Sequence, residues 1–344
     1  MGEKLRNKIL LSIGFGGLIY IVMTVFADVE NVLMAYRKFP WEYLPVIFLC
    51  SSMNYVFRFW KWDFFTKQLG IRPQFKQNLI IFFASFVMAV TPGKVGEVMK
   101  SYLLKKENGT PIRRSAPIIL AERLTDFIGL IILVIAGAWM FGYGRSIVAV
   151  FTIFFFGITA LLGWRKGSLA LIAQLEKIPF VSKFAHHFHD GYDSIYTLCR
   201  LKPLTYSVAI SVASWFFESL GFWIILDNFG APPNLFKSAF IYSFSTIVGA
   251  VTMSPGGLGA TEGSLTGLTM AAGASSSVAV ASTFIIRTAT LWYAVVLGAI
   301  IMIAFQKRIG IKLDELDLKN VMEEPSIETI KDSSVPTTIG TEKS

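Results

Sequence analysis

The chain has 344 residues, of which 53% are hydrophobic and only 16% charged, against about 25% charged in an ordinary soluble domain. Thirty Phe and eight Trp add to the apolar load, and several runs approach the ~20 residues that cross a hydrocarbon core, so a soluble enzyme is excluded and an all-α polytopic membrane protein is expected. The net charge of +9 reads as Lys and Arg gathered in cytoplasmic loops beside anionic headgroups rather than as a nucleic-acid footprint.

Lys4, Arg6 and Lys8 precede the apolar run Ile9–Phe26. Val25-Phe26-Ala27 resembles a cleavage site, but the run exceeds the about 7–15 residues of a signal-peptide core and is read as the first span. Between the first and second spans, Asp28 to Glu42 has as many acids as bases, or more: Asp28, Glu30 and Glu42 against Arg37 and Lys38. The second span, about Tyr43 to Trp60, carries Ser51, Ser52, Asn54 and Arg58 among aromatics, and a basic loop with Lys61, Lys67, Arg72 and Lys76 follows.

Asn78 to Val90 is apolar but only 13 residues long. At ~1.5 Å per residue it covers about two-thirds of a ~30 Å core. It ends at Thr91-Pro92-Gly93-Lys94-Val95-Gly96-Glu97, where Pro lacks the N–H that continues a helix and Gly admits unusual backbone angles. Val95 to Leu104 can form a second short helix, followed at once by Lys105, Lys106, Arg113 and Arg114. If Asn78–Leu104 crossed the membrane, these bases and the basic stretch Arg165–Lys202 would both lie outside. A re-entrant hairpin from the cytoplasm removes both conflicts with the positive-inside rule.

Ser115 to Phe141 is the next span and holds Glu122, Arg123 and Asp126; the two acids are four apart and share a helical face. An apolar span, Ser146 to Trp164, leads to Arg165–Lys202, read as a cytoplasmic interfacial helix pair. Pro203 to Leu226 is a span with Glu218, and Asp227–Asn234 an outer loop. Phe236–Met253 runs into a second breaker, Ser254-Pro255-Gly256-Gly257-Leu258-Gly259, followed by Glu262. Ala260–Ala274 is small and Gly-rich, Ala281–Phe305 is a span with Arg287, and Lys307, Arg308 and Lys312 put its end in the cytoplasm. Residues 313–344 form a polar tail expected to be disordered.

The halves correspond. Pro92 to Arg123 is 31 residues and Pro255 to Arg287 is 32. Each breaker reads Ser/Thr-Pro-Gly-x-Val/Leu-Gly with a Glu after it, and each follows a span with an embedded charge, Arg58 or Glu218. The expected architecture is one domain over residues 1–312: an inverted repeat of halves at about 9–141 and 146–305. Each half has three transmembrane helices and a re-entrant hairpin, about eight membrane elements in all, with both termini cytoplasmic. In such repeats the site lies near the midplane among discontinuous helices.

Charges within spans cost ~2.5–3.5 kcal/mol each on insertion scales, so Lys94, Glu97, Glu122, Arg123, Asp126, Glu218, Glu262 and Arg287 form the candidate site. The hairpin breaks are Pro92, Gly93, Gly96, Pro255, Gly256 and Gly259. A buried ion-pair network that holds broken helices together is one reading; a cavity for a charged headgroup is the other. Half-helix N-termini and guanidinium forks both favour phosphate. Cys50 and Cys199 lack metal-ligand spacing. His186, His187, His189 and Asp190 resemble metal ligands by composition alone, so no metal or cofactor is expected. There is no hydrolase triad, nucleotide loop or zinc motif.

Taken together, Thr91–Glu97, Glu122-Arg123-x-x-Asp126 and Ser254–Gly259 resemble the lysylphosphatidylglycerol synthase transmembrane, or flippase-like, family, over about residues 9–310. That family includes the membrane half of the bacterial multiple peptide resistance factor and domains attached to archaeal dolichol-linked glycosyltransferases. The resemblance implies a multi-pass protein of the cell (inner) membrane that moves or handles anionic lipid, a phospholipid or a polyprenyl-phosphate-linked glycan. The transferase domain of the two-domain members is absent from these residues, so transport is favoured over enzyme activity. Two alternatives stay open: an intramembrane lipid-phosphate transferase with a carboxylate such as Glu97 as base, and an accessory subunit that docks a glycosyl- or aminoacyl-transferase. A homo-oligomer is compatible with either; nucleic acid is not an expected partner.

Overall fold

A computed structural model describes residues 3–91, 97–141 and 193–305, with Ala149, Ile153 and Gly157. Most of the span expected at Ser146–Trp164, most of Arg165–Lys202 and the tail lie outside the described residues. Among the described residues the regular elements are all helical, joined by short turns, with no strand.

Helix α1 is Glu3–Phe26 and α2 is Val29–Lys38, and the chain bends by 99° between them. Residues 28–42 are therefore not simply a loop. Asp28 sits at φ 66 and caps α2, accepting from the Glu30 N–H at 3.1 Å. Val32 and Ala35 then bury one face of α2, the former in a cluster with Val280 and Phe284.

Helix α3, Leu44–Gln68, runs two turns beyond the expected Trp60. Lys61, Trp62 and Phe65 extend its buried face, so tertiary packing carries the helix through a stretch whose charges read as loop. Helix α4, Phe75–Ala84, tightens into a 3-10 turn, Ser85–Met88. After the break come α5, Met99–Asn108, closed by Gly109 at φ 74, and α6, Ile112–Phe141.

The second part comprises α7 (Leu201–Asn228), α8 (Leu235–Val251), a 3-10 turn (Pro255–Gly257), α9 (Ala260–Ala271) and α10 (Ser276–Arg287). A π-helical turn, Thr288–Trp292, joins α10 to α11 (Tyr293–Phe305). Leu201–Asn228 and Ser276–Phe305 are long and apolar enough to cross a membrane; the helical runs ending at the two breaks, Phe75–Met88 and Leu235–Val251, are apolar but shorter.

The long helices meet reciprocally. α3 lies along α7; α6 packs on α8, and α11 packs on α4 and its 3-10 turn; α5 rests on α6, and α9 on α10. Some of these contacts are backbone to backbone. A Cβ on Gly298 of α11 would collide with the Val87 amide nitrogen, and one on Gly137 of α6 with the Phe236 carbonyl. Small residues permit such approach where helices associate by packing rather than by a water-driven force.

Gly298→Ala is expected to destabilise the fold by about 1–3 kcal/mol, since overpacking here displaces backbone rather than a side-chain tip. Gly17, with nothing within 4 Å of a built Cβ, is the control. Thermal unfolding in detergent should show a lower midpoint for Gly298→Ala and an unchanged one for Gly17→Ala.

Candidate functional site

The second break explains its own sequence. Gly256, Gly257 and Gly259 have φ of 62, 73 and 87, conformations that side chains resist. Turning the chain this way releases backbone groups that two side chains then satisfy. The Gly259 N–H donates to Glu262 Oε2 at 2.7 Å. Arg287 donates from Nη2 to the Gly256 carbonyl at 2.8 Å and from Nε to Glu262 Oε1 at 2.6 Å. Glu262 is fully buried.

Of the first break, Pro92, Gly93, Lys94 and Gly96 lie outside the described residues. Glu97 stands at its far edge and accepts from Arg123 Nη2 at 2.7 Å. The two breaks thus carry the same pair, a Glu after the interruption joined to an Arg on the next helix, 26 residues on in one case and 25 in the other.

The pairs differ in what surrounds them. Arg287 has two donors engaged and a side chain only 9% exposed; Arg123 is 21% exposed. No hydrogen-bond acceptor lies at Arg123 Nε among the described residues. Arg58 Nη2 approaches the same Glu97 oxygen at 3.9 Å while its guanidinium lies over the Trp215 ring, 5.8 Å from the centroid. One carboxylate therefore faces two guanidiniums.

A cavity of about 290 Å³ opens here, lined by Arg58, Glu97, Arg123, Glu218 and Arg287 and by the rings of Tyr55, Phe86, Trp215 and Tyr242. It takes residues from both breaks, Glu97 and Lys100 on one side, Ser254, Gly256 and Gly257 on the other. Glu218 accepts from the Tyr242 hydroxyl at 2.6 Å. Glu122, Asp126 and Glu262 do not line the cavity but stand behind it, each buried and paired. Lys100 Nζ meets Glu122 at 2.5 Å, and Lys61 Nζ meets Asp126 at 2.5 Å and Ser211 Oγ at 2.7 Å. Of the eight expected site residues, seven converge and Lys94 lies outside the described residues.

Three bases were not in the expected set. Lys61 is expected in a basic loop, Lys100 falls within the short helix expected at Val95–Leu104 with no role assigned to it, and Arg58 is expected as an embedded charge of the second span that marks the repeat. The usable signal for Lys61 is spacing: Arg58, Lys61 and Phe65 recur at helical intervals on the face that also buries Tyr55 and Trp62. Lys100 gives no such signal, because its partners are remote in sequence: Glu122 and the rings of Trp62 and Phe82, at 4.5 and 5.5 Å from the ammonium. Among the described residues no group of His, Cys, Asp and Glu could hold a metal ion; the His186–Asp190 stretch lies outside them.

Arg287→Ala strips partners from both Glu262 and the Gly256 carbonyl, so it should cost about 3–5 kcal/mol, as for breaking a buried pair. Arg123→Ala leaves Glu97 facing the cavity and Arg58. Compared in detergent unfolding, Arg287→Ala should lower the midpoint well beyond Arg123→Ala; equal effects would count against the structural role of Arg287.

The family model described as the lysylphosphatidylglycerol synthase TM region matches residues 9–298. Relatives are UPF0104 membrane proteins. One from Methanothermobacter thermautotrophicus is 23% identical, covering 88% of this chain and 95% of the relative. One from Methanocaldococcus jannaschii is 23% identical over 89% and 97%, and one from Pyrococcus horikoshii 22% over 88% and 98%. With apolar helices interrupted at two paired breaks and a match over most of its length, this chain is a membrane protein of the lysylphosphatidylglycerol synthase TM-region family.

Proposed function

We propose that the protein is a multi-pass translocase of the cell membrane that carries the anionic headgroup of a lipid through the cavity between its two breaks. The acyl chains stay in the bilayer. The observation that carries this reading is the shared carboxylate: Arg58 and Arg123 both line the cavity and both approach Glu97 Oε1, at 3.9 and 2.7 Å, with Asp126 Oδ2 3.9 Å from Arg123 behind them, so a lipid phosphate can engage guanidiniums that are already oriented toward the cavity. The aromatic lining suits the apolar shoulder of a headgroup.

The architecture we infer is a single domain over residues 1–312, built as an inverted repeat with both termini cytoplasmic. Its support is the cross-packing of the two parts, in which α6, the second helix after the first break, lies on α8 before the second break, and α11, the third helix after the second break, lies on α4 and its 3-10 turn before the first. The matched Glu–Arg pairs add to it. Rocking of one half against the other would then expose the cavity alternately to the two leaflets. Arg123 and Arg58 hold phosphate in this scheme, and Lys94 is a further candidate. Arg287 holds the second break, which amends the expectation that it binds phosphate directly.

In proteoliposomes, movement of a fluorescent phosphatidylglycerol between leaflets is read by dithionite quenching. Each of Arg123→Ala and Arg58→Ala removes a charge-assisted contact of ~1.5–3 kcal/mol, so the rate should fall on the order of 10–100-fold with the folded fraction unchanged. A rate equal to wild type in Arg123→Ala would overturn the assignment.

A further inference from the structure

We propose that the lipid enters and leaves the cavity sideways, through a portal between α6 and α8 that holds an acyl chain while the phosphate sits at Arg58 and Arg123. The inference rests on the reading of the cavity as a headgroup site. It adds the seam through which the chains reach the bilayer, with Met253 as a residue that receives them.

α6 and α8 run antiparallel. Gly137, near the end of α6, meets the Phe236 carbonyl at the start of α8, while Arg123 and Phe127 share the cavity wall with Thr246 and Ala250. The two helices thus touch backbone to backbone at one end and flank the cavity at the other. Spacing puts Leu120, Arg123 and Phe127 on one face of α6, at i, i+3 and i+7, and Thr246 and Ala250 on one face of α8, at i and i+4. Arg123, Phe127, Thr246 and Ala250 are partly exposed, whereas Tyr55, Trp215, Glu218 and Arg287 on the other walls are buried. Met253, just past the end of α8, lines the cavity and is 70% exposed. The cavity therefore opens along this seam.

Edge and interior differ in polarity. Leu120, one turn before Arg123, and Val251, beside Ala250, are exposed, while two guanidiniums stand inside. An opening with apolar edges and a cationic interior fits an amphiphile that enters phosphate first, with its chain left along the edge. Backbone geometry adds a second observation. Asp28 and Met253 are the non-glycine residues at positive φ among the described residues. Asp28 uses its side chain as a helix cap. Met253, at φ 52, follows the last turn of α8, with its N–H on the Ala250 carbonyl at 3.3 Å. Glycine closes a helix there without strain. A long, flexible apolar side chain in that conformation carries a backbone cost that contact with an acyl chain offsets.

The test places the full chain in vesicles with phosphatidylglycerol that bears a diazirine midway along one acyl chain. After illumination, labelled residues are located by peptide mass spectrometry. A parallel sample uses diacylglycerol with the same chain and no phosphate. Label at Thr246–Met253 and around Phe127 should be about tenfold stronger with the phospholipid, and the excess should vanish in Arg123→Ala. Label at Val296, Ile300 and Ile303, exposed on α11, should be equal for the two and marks lipid that merely surrounds the protein. A phosphate-dependent excess at another seam overturns the portal and leaves the headgroup site standing; no such excess anywhere overturns both. Met253→Gly should slow transfer of the fluorescent phosphatidylglycerol about fivefold, through loss of one apolar contact. Its unfolding midpoint should be no lower than that of wild type. Its binding of glycerophosphoglycerol, the headgroup without chains, should be unchanged in titration calorimetry. An unchanged transfer rate overturns the role of Met253, and so does an equal loss of glycerophosphoglycerol binding, which would place Met253 at the phosphate.

Discussion

A helix interrupted away from water releases N–H and C=O groups that must find new partners inside the protein. That requirement organises this molecule. At the second break the partners are two side chains. Glu262 takes the Gly259 N–H, Arg287 takes the Gly256 carbonyl, and each then neutralises the other. A carboxylate and a guanidinium do here what a further helical turn would have done, and they bring their charges with them. The charged interior is thus in part a by-product of broken backbone.

The first break shows the same pair put to a looser use. Glu97 and Arg123 repeat the order of Glu262 and Arg287, but Arg58 joins them and the cavity opens beside them. The result is a tight clasp at the second break, with Arg287 9% exposed, and a more open one at the first, with Arg123 21% exposed. Beside the Glu97–Arg123 pair, Lys61–Asp126 and Lys100–Glu122 are buried. They fix the faces of α3, α5 and α6, so that Arg58 and Arg123 are presented from rigid walls.

Much of this was legible in the sequence, for a physical reason. Pro-Gly inside an apolar run is costly, and a charge beside it more so; both flagged Glu97, Arg123, Glu262 and Arg287 before any coordinates. Hydropathy and loop charge recovered the helices at 201–228 and 235–251 to within a few residues. What stayed hidden depended on contacts between distant segments. Lys100 could not be told from its basic neighbours, since only the approach of Trp62, Phe82 and Glu122 takes it out of water. The expected second span ends at Trp60, eight residues short of Gln68 at the end of α3, because Lys61 has the charge of a loop residue and only the folded packing buries it. α2 was missed because its buried stripe is two residues long, Val32 and Ala35, too few for periodicity to detect.

The π-helical turn Thr288–Trp292 sits between the residue that clasps the second break and the glycine that abuts Val87. Its Thr290 carbonyl is met by the Tyr55 hydroxyl at 2.6 Å. Each residue of a helix turns the ones after it by about 100°, so this wider turn sets the phase between Arg287 and Gly298. Loss or gain of one residue here would keep every side chain's chemistry and still point a larger neighbour at the Val87 amide. Evolution can therefore vary the composition of this stretch far more freely than its length, and insertions or deletions among relatives should avoid it while they accumulate in the turns outside.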